Sequence, residues 1–112
     1  MLARANRVTH PEDFRLAIRN GRRVKGENAT LHVLARGEGH ARFGFIVPKT
    51  VGGAVTRNLV KRRLRAVCRE LLPGMDAGTD VVVRALPGSS TSTWASLRDE
   101  IQRSASRGVT GG

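Results

Sequence analysis

Two hydrophobic periods alternate along this chain, and their alternation predicts the elements. In THPEDFRLAIRNG (9–21), Phe14, Leu16, Ala17 and Ile18 supply the apolar groups of a helix. Thr9 and Glu12 stand at the spacing of a capping box, Pro11 suits a first turn, and Gly21 is a stop. ATLHVLAR (29–36) and ARFGFIVPK (41–49) carry strand formers, with GEGH (37–40) as the turn of an antiparallel hairpin. Phe43, Phe45 and Val47 share one face by the two-residue period, and Pro48 closes the strand. TVGGA (50–54) is a glycine-rich joint. In AVTRNLVKRRLRAVCREL (54–71), Val60, Leu64, Val67, Cys68 and Leu71 recur at helical spacing, the stripe of a buried face. LPGMDAGT (72–79) reads as a loop, DVVVRAL (80–86) as a central strand, and PGSSTST (87–93) as a linker ending in a helix cap. WASLRDEIQRSAS (94–106) is an amphipathic helix with Trp94, Leu97, Ile101 and Ala105 on one side.

The order of helix, strands, helix, strand and helix predicts an α+β fold with helices against a small sheet. A chain of 112 residues is long enough for one domain and not for two. Residues 1–112 are read as that single domain, with an ordered core over about 6–106. A basic arm bearing Arg4 and Arg7 and the glycine-rich tail RGVTGG are expected to fray at its ends.

Charge changes the picture. Twenty Lys and Arg face nine Asp and Glu, a formal net charge of +11. Such a chain repels itself until a polyanion lies against it, and nucleic acid is the first candidate. The excess is local, because no acid occurs between Gly39 and Arg69. At about 100° per residue, Lys61, Arg62, Arg65 and Arg69 gather beside the apolar stripe of the third element, with Asn58 among them and Arg57 at the border. Arg63 points elsewhere, toward solvent. The ridge lacks the i+4 acids that would neutralise it. Cations on a rigid helix can meet successive phosphates, with Arg forks bidentate.

Other chemistry is sparse. Cys68 is the only cysteine, so no intramolecular disulfide and no thiolate zinc site can form; this suits a reducing cytoplasm. No apolar run reaches the length of a membrane span, and MLARANRVTHPEDF lacks the apolar core of a signal peptide.

The stretch ARFGFIVPKTVGGAVTRNLVKRRLRAVCREL resembles the signature of the bacterial ribonuclease P protein subunit. There, a strand ending in Lys and a glycine-containing joint lead into a helix of pattern Ala-x-x-Arg-Asn-x-x-Lys-Arg, the RNR motif. Ala54, Arg57, Asn58, Lys61 and Arg62 match it, with Arg65 one turn on. The opening ANRVTHPEDFRLAIRNG is similar too, with Asn6, Arg7, Asp13, Phe14 and Gly21 in familiar places, and the likeness covers roughly residues 4–106.

The resemblance implies more than spacing can. It implies a small mixed sheet with three helices in the order α-β-β-β-α-β-α, ribosomal protein S5 domain 2-like, with a left-handed βαβ crossover. It implies a ribonucleoprotein whose RNA is the catalyst and which removes the 5′ leader of precursor tRNA. The Mg²⁺ would be held mainly by that RNA and the substrate. Arg57, Asn58, Lys61, Arg62, Arg65 and Arg69 would face the catalytic RNA. Asn6, Arg7, Phe14, Ile18, His32 and Lys49 would serve the leader of the precursor, with no membrane and no obligate protein partner. This sequence departs from the family at Thr50, where a second Lys is common, and at Gly53, where a polar residue is. It departs again at Ile18 and His32, where aromatics are frequent.

Two rivals come from other classes. An autonomous nuclease would need acid–base groups, but His10, His32 and His40 fall on separate elements. Asp76 and Asp80 belong to a loop region and Asp99 and Glu100 to the last helix, so no metal-binding cluster forms. Cys68 falls on the buried stripe and reads as packing. A general RNA-binding or ribosomal protein fits the charge and fold equally well, and only the motif and the opening separate the two. A membrane-surface helix is a distant third, since the apolar stripe is narrow and aliphatic.

Overall fold

The computed structural model describes residues 2–110. Seven main elements follow in order: α1 (Pro11–Asn20), β1 (Arg22–Lys25), β2 (Ala29–Ala35), β3 (Arg42–Ile46), α2 (Ala54–Leu71), β4 (Thr79–Ala85) and α3 (Trp94–Thr110). Single 3-10 turns stand at Arg4–Asn6, Lys49–Val51, Leu72–Gly74 and Pro87–Ser90. The fold is α+β, and its one sheet has the order β1-β2-β4-β3. β1 with β2 and β2 with β4 are antiparallel, whereas β3 and β4 are parallel neighbours joined through α2.

That order overturns the expected hairpin. β2 and β3 do not pair, because β4 lies between them and exchanges hydrogen bonds with both. β4 has the apolar content for a two-sided central position: Val81, Val82 and Val83 are all fully buried. The antiparallel hairpin that does form is β1–β2, and β1 escapes the residue pattern because only Val24 of its four residues is buried. Arg22, Arg23 and Lys25 keep it soluble as an edge strand.

One face of the sheet carries the core. Leu31, Val33, Phe43, Val81 and Val83 meet Val60, Leu64, Val67 and Cys68 of α2 and Leu97, Ile101 and Ala105 of α3. Trp94, expected on that side, is 39% exposed at the start of α3. Thr93 does cap this helix, its Oγ1 accepting from Ser96 N at 3.1 Å. The opposite face is roofed in part by α1, which packs over β2 and β4 through the buried Ala17.

Three local expectations change. The N-cap of α1 is His10, with no side-chain cap bond. Pro11 takes the first helical position, so Thr9 is one residue too early for a capping box. Glu12 pairs with Arg15 instead. The N-terminal arm is seated rather than loose: Leu2 is buried, Val8 N donates to Phe43 O at 2.9 Å, and Arg7 bridges Phe43. The tail continues α3 to Thr110, and its last two residues, Gly111 and Gly112, lie outside the described residues. Gly108 permits this, since a Cβ there would stand 2.4 Å from Val33 Cγ2.

Candidate nucleic-acid interface

α2 presents three surfaces. Val60, Leu64, Val67 and Cys68 are buried, and burial pushes the Cys68 thiol pKa far up, so it stays protonated packing. Along one flank, α2 is neutralised. Glu70 accepts from Arg98 of α3, with Nε 3.0 Å from both oxygens and Nη2 2.7 Å from Oε1. Arg63 is not a free solvent charge as its projection suggested. It is half-buried, and its Nη1 donates to Ser92 O at 3.3 Å. The third surface holds the predicted ridge, in two rows. Arg57, Lys61 and Arg65 are half-buried, while Asn58, Arg62 and Arg69 are exposed. Among the described residues no carboxylate pairs with any of these five cations. The Nε atoms of Arg57 and Arg65 are buried without a hydrogen-bond partner. The first turn of α2 also lacks an acid, which leaves its positive helix end uncompensated.

The inner row opens onto a cleft of about 200 Å³ at the outer edge of β3. Arg7, Phe14, Phe43, Phe45, Lys61 and Arg65 line it. Local structure fixes each. The parallel bridge to Phe43 holds Arg7, whose Nε is also buried and unpartnered. Asn6 Nδ2 donates to Ala41 O at 2.8 Å, so this side chain anchors the arm. Phe14 lies over Gly44, where a Cβ would come within 2.7 Å of its Cε1. The cleft thus joins an aromatic from α1 and a cation from the arm to two cations of α2.

The remaining candidates stand apart from this cleft. Ile18, one turn after Phe14 on α1, is 41% exposed. Lys49 is exposed and opens the 3-10 turn before α2. His32 is only 7% exposed, on the α1 side of the sheet, in register with Arg23 and Val82. Its Nδ1 is buried without a partner. Burial lowers its pKa first, and the nearby Arg23 and Arg84 lower it further, so the imidazole is held neutral. Arg23 and Arg84 extend the cationic surface across the sheet, and sequence reasoning missed both. Only strand register brings them to His32, and one of those strands was not seen.

The nuclease constellation does not assemble. His10 caps α1, His40 stands exposed in the β2–β3 connection, and His32 lies on the sheet. Asp80 is not in a loop but on β4, 1% exposed, with Arg36 and Arg42 on its oxygens. Glu100 is buried and accepts from Asn28 N, Asn28 Nδ2 and Ala29 N at 2.8–3.0 Å. Among the described residues no three His, Cys, Asp or Glu side chains converge. The buried carboxylates are committed to protein donors, so these residues do not fit a protein-held Mg²⁺.

The family model described as Ribonuclease P matches residues 2–108. The chain belongs to the ribonuclease P protein family. The ribonuclease P protein component of Clavibacter michiganensis subsp. michiganensis is 46% identical over 110 residues, covering 97% of both chains. That of Rhodococcus opacus is 38% identical over 109 residues, covering 91% of this chain and 87% of its own. Among solved structures, a Staphylococcus aureus RNase P protein mutant with defective mRNA degradation activity superposes with TM-score 0.84 at 23% identity, over 91% of this chain and 86% of that one. The RNase P protein from Thermotoga maritima gives 0.77 at 24%, over 87% and 92%. These neighbours share the three-helix, mixed-sheet fold. Membership places the chain in the ribonuclease P complex, in tRNA processing and in partnership with RNA. No helix among the described residues is long and apolar enough to cross a membrane.

Proposed function

We propose that this chain is the protein subunit of a cytoplasmic ribonuclease P, binding the catalytic RNA along α2 and the 5′ leader of precursor tRNA beside it. Arg57, Asn58, Lys61, Arg62, Arg65 and Arg69 take the catalytic RNA. Arg7, Phe14 and the sheet face take the leader, with Phe14 offering a ring edge or face to an unstacked base. Ile18, Lys49, Arg23 and Arg84 border the path that strand would follow, and neutral His32 offers it a polar floor without added charge. Asn6 acts by holding the arm. The RNA carries the catalysis and, with the substrate, holds the Mg²⁺; the polypeptide alone is inert.

One observation carries this reading. The unpaired cations of α2 run directly into the aromatic cleft, where Lys61 and Arg65 belong to both surfaces. A single continuous surface can then hold two RNA strands at once, and favour precursor over product because only the precursor has a leader. The test is reconstitution of purified protein with a bacterial ribonuclease P RNA and 5′-extended precursor tRNA at low Mg²⁺. Cleavage at the mature 5′ end only when both components are present is the expected result. RNA binding without any gain in cleavage would favour a general RNA-binding protein, and cleavage by RNA-free protein would overturn the division of labour.

A further inference from the structure

A chain of ion pairs runs from the sheet to α1. The Asp80 Oδ1 accepts from Arg36 Nε at 2.8 Å and Arg42 Nε at 2.9 Å, and Oδ2 accepts from Arg42 Nη2 at 2.7 Å. Arg36 directs its other donors to Glu38 O at 3.0 Å and His40 O at 2.6 Å, so it ties down only the β2–β3 connection. Arg42 has one amine left. Its Nη1 stands 3.4 Å from Asp13 Oδ2. Asp13 is the residue before Phe14.

This contact matters because the apolar footing of α1 is small. Ala17 is its one buried residue, Phe14 rests on Gly44, and Leu16 and Ile18 stay exposed. With its ends held by Val8 N on Phe43 O and by the step through Gly21 into β1, so small an apolar footing does little to fix the roll of the helix. A half-exposed ion pair adds little stability, but direction is another matter. The two-point fork to a buried carboxylate fixes the Arg42 guanidinium plane, so Nη1 is a donor in a set position.

We propose that Arg42 is a positioning residue for substrate: by holding Asp13 it sets where α1 and Phe14 stand over the sheet, and so the opening that admits the leader. This rests on the leader reading above.

The test uses the holoenzyme with Asp13 variants, because Arg42 substitutions would take two of the three hydrogen bonds from the buried Asp80 and so disturb the sheet as well. For Asp13→Asn, KM for precursor tRNA with a long 5′ leader should rise roughly tenfold with kcat unchanged, the mark of lost binding rather than lost chemistry. KM for a precursor with a one-nucleotide leader and affinity for the catalytic RNA should not change. Asp13→Glu should recover most of the loss. Glu12→Gln is the control for removing a first-turn acid, since Glu12 pairs with Arg15 and not with Arg42; it should leave KM alone. An unchanged KM in Asp13→Asn would overturn the proposal. So would a rise of KM accompanied by a fall of kcat and of RNA affinity, which is what general damage to the fold produces. If the wild type itself shows no dependence on leader length, the leader reading falls first and this inference with it.

Discussion

α2 and α3 are nearly equal in length, 18 and 17 residues, and bury their apolar stripes in the same core. They treat charge in opposite ways. On α3, Arg98 is matched by Glu70, Arg103 by Asp99, and Glu100 is turned inward onto backbone amides. On α2, none of the six cations has an acidic partner among the described residues, and Glu70, the only acid of the helix, serves α3. Both helices are equally well packed, so packing does not explain the difference. A protein that must merely fold can place acids beside its bases. Leaving a row of bases bare destabilises the free chain and is offset only when an external polyanion supplies the missing charge.

The largest effect should come where the two helices are alike. Leu64→Asp on α2 and Ile101→Asp on α3 each put an unpaired charge at a site of zero exposure. Both chains should fail to fold, with loss of the cooperative melt by circular dichroism. A folded Leu64→Asp would mean that α2 is docked only by RNA. Next is Glu100→Ala, which leaves the amides of Asn28 and Ala29 buried without their acceptor. It should cost about 3 kcal/mol in chemical denaturation.

The ridge should respond in the other observable. Arg57→Ala, Lys61→Ala and Arg65→Ala should leave the melt in place and each flatten the salt dependence of RNA binding by about one unit of log–log slope. Arg98→Ala on the neutralised side should leave that slope unaltered, and equal slopes for both sets would abolish the contrast. The smallest effect concerns pH. Hydrogen bonding to Arg98 holds the Glu70 carboxyl below its ordinary pKa. A depressed folded pKa stabilises above the unfolded value and is lost as pH falls through the folded one. The difference in Tm between wild type and Arg98→Ala should therefore be present at neutral pH and vanish in acid.

Helical periodicity made the ridge legible. Every residue assigned to it lies on α2, and the apolar stripe beside it is buried at Val60, Leu64, Val67 and Cys68 and partly buried at Leu71. The cleft was legible only in part. Phe14, Arg7, Lys61 and Arg65 come from three separate stretches, and their meeting depends on the arm pairing along β3. The sheet was least legible. RRVK has a single apolar residue to mark it as a strand, and nothing local in ARFGFIVPK says that its partner is residues 79–85 rather than the strand just before it. The Arg23–His32–Arg84 grouping inherits that difficulty, because register creates it.

The central place of β4 has a consequence for how the protein is made. β2 and β3 are synthesised early, and β2 can pair at once with β1, yet the second ladder of β2 and the ladder of β3 must both wait for residues 79–85. A nascent chain that has released only the first seventy or so residues holds strands without their common partner and a fully written cationic helix without its core. Completion of the sheet is thus deferred until most of the polypeptide has left the ribosome. In that interval the bare bases of α2 are a strand-seeking hazard in a compartment crowded with RNA.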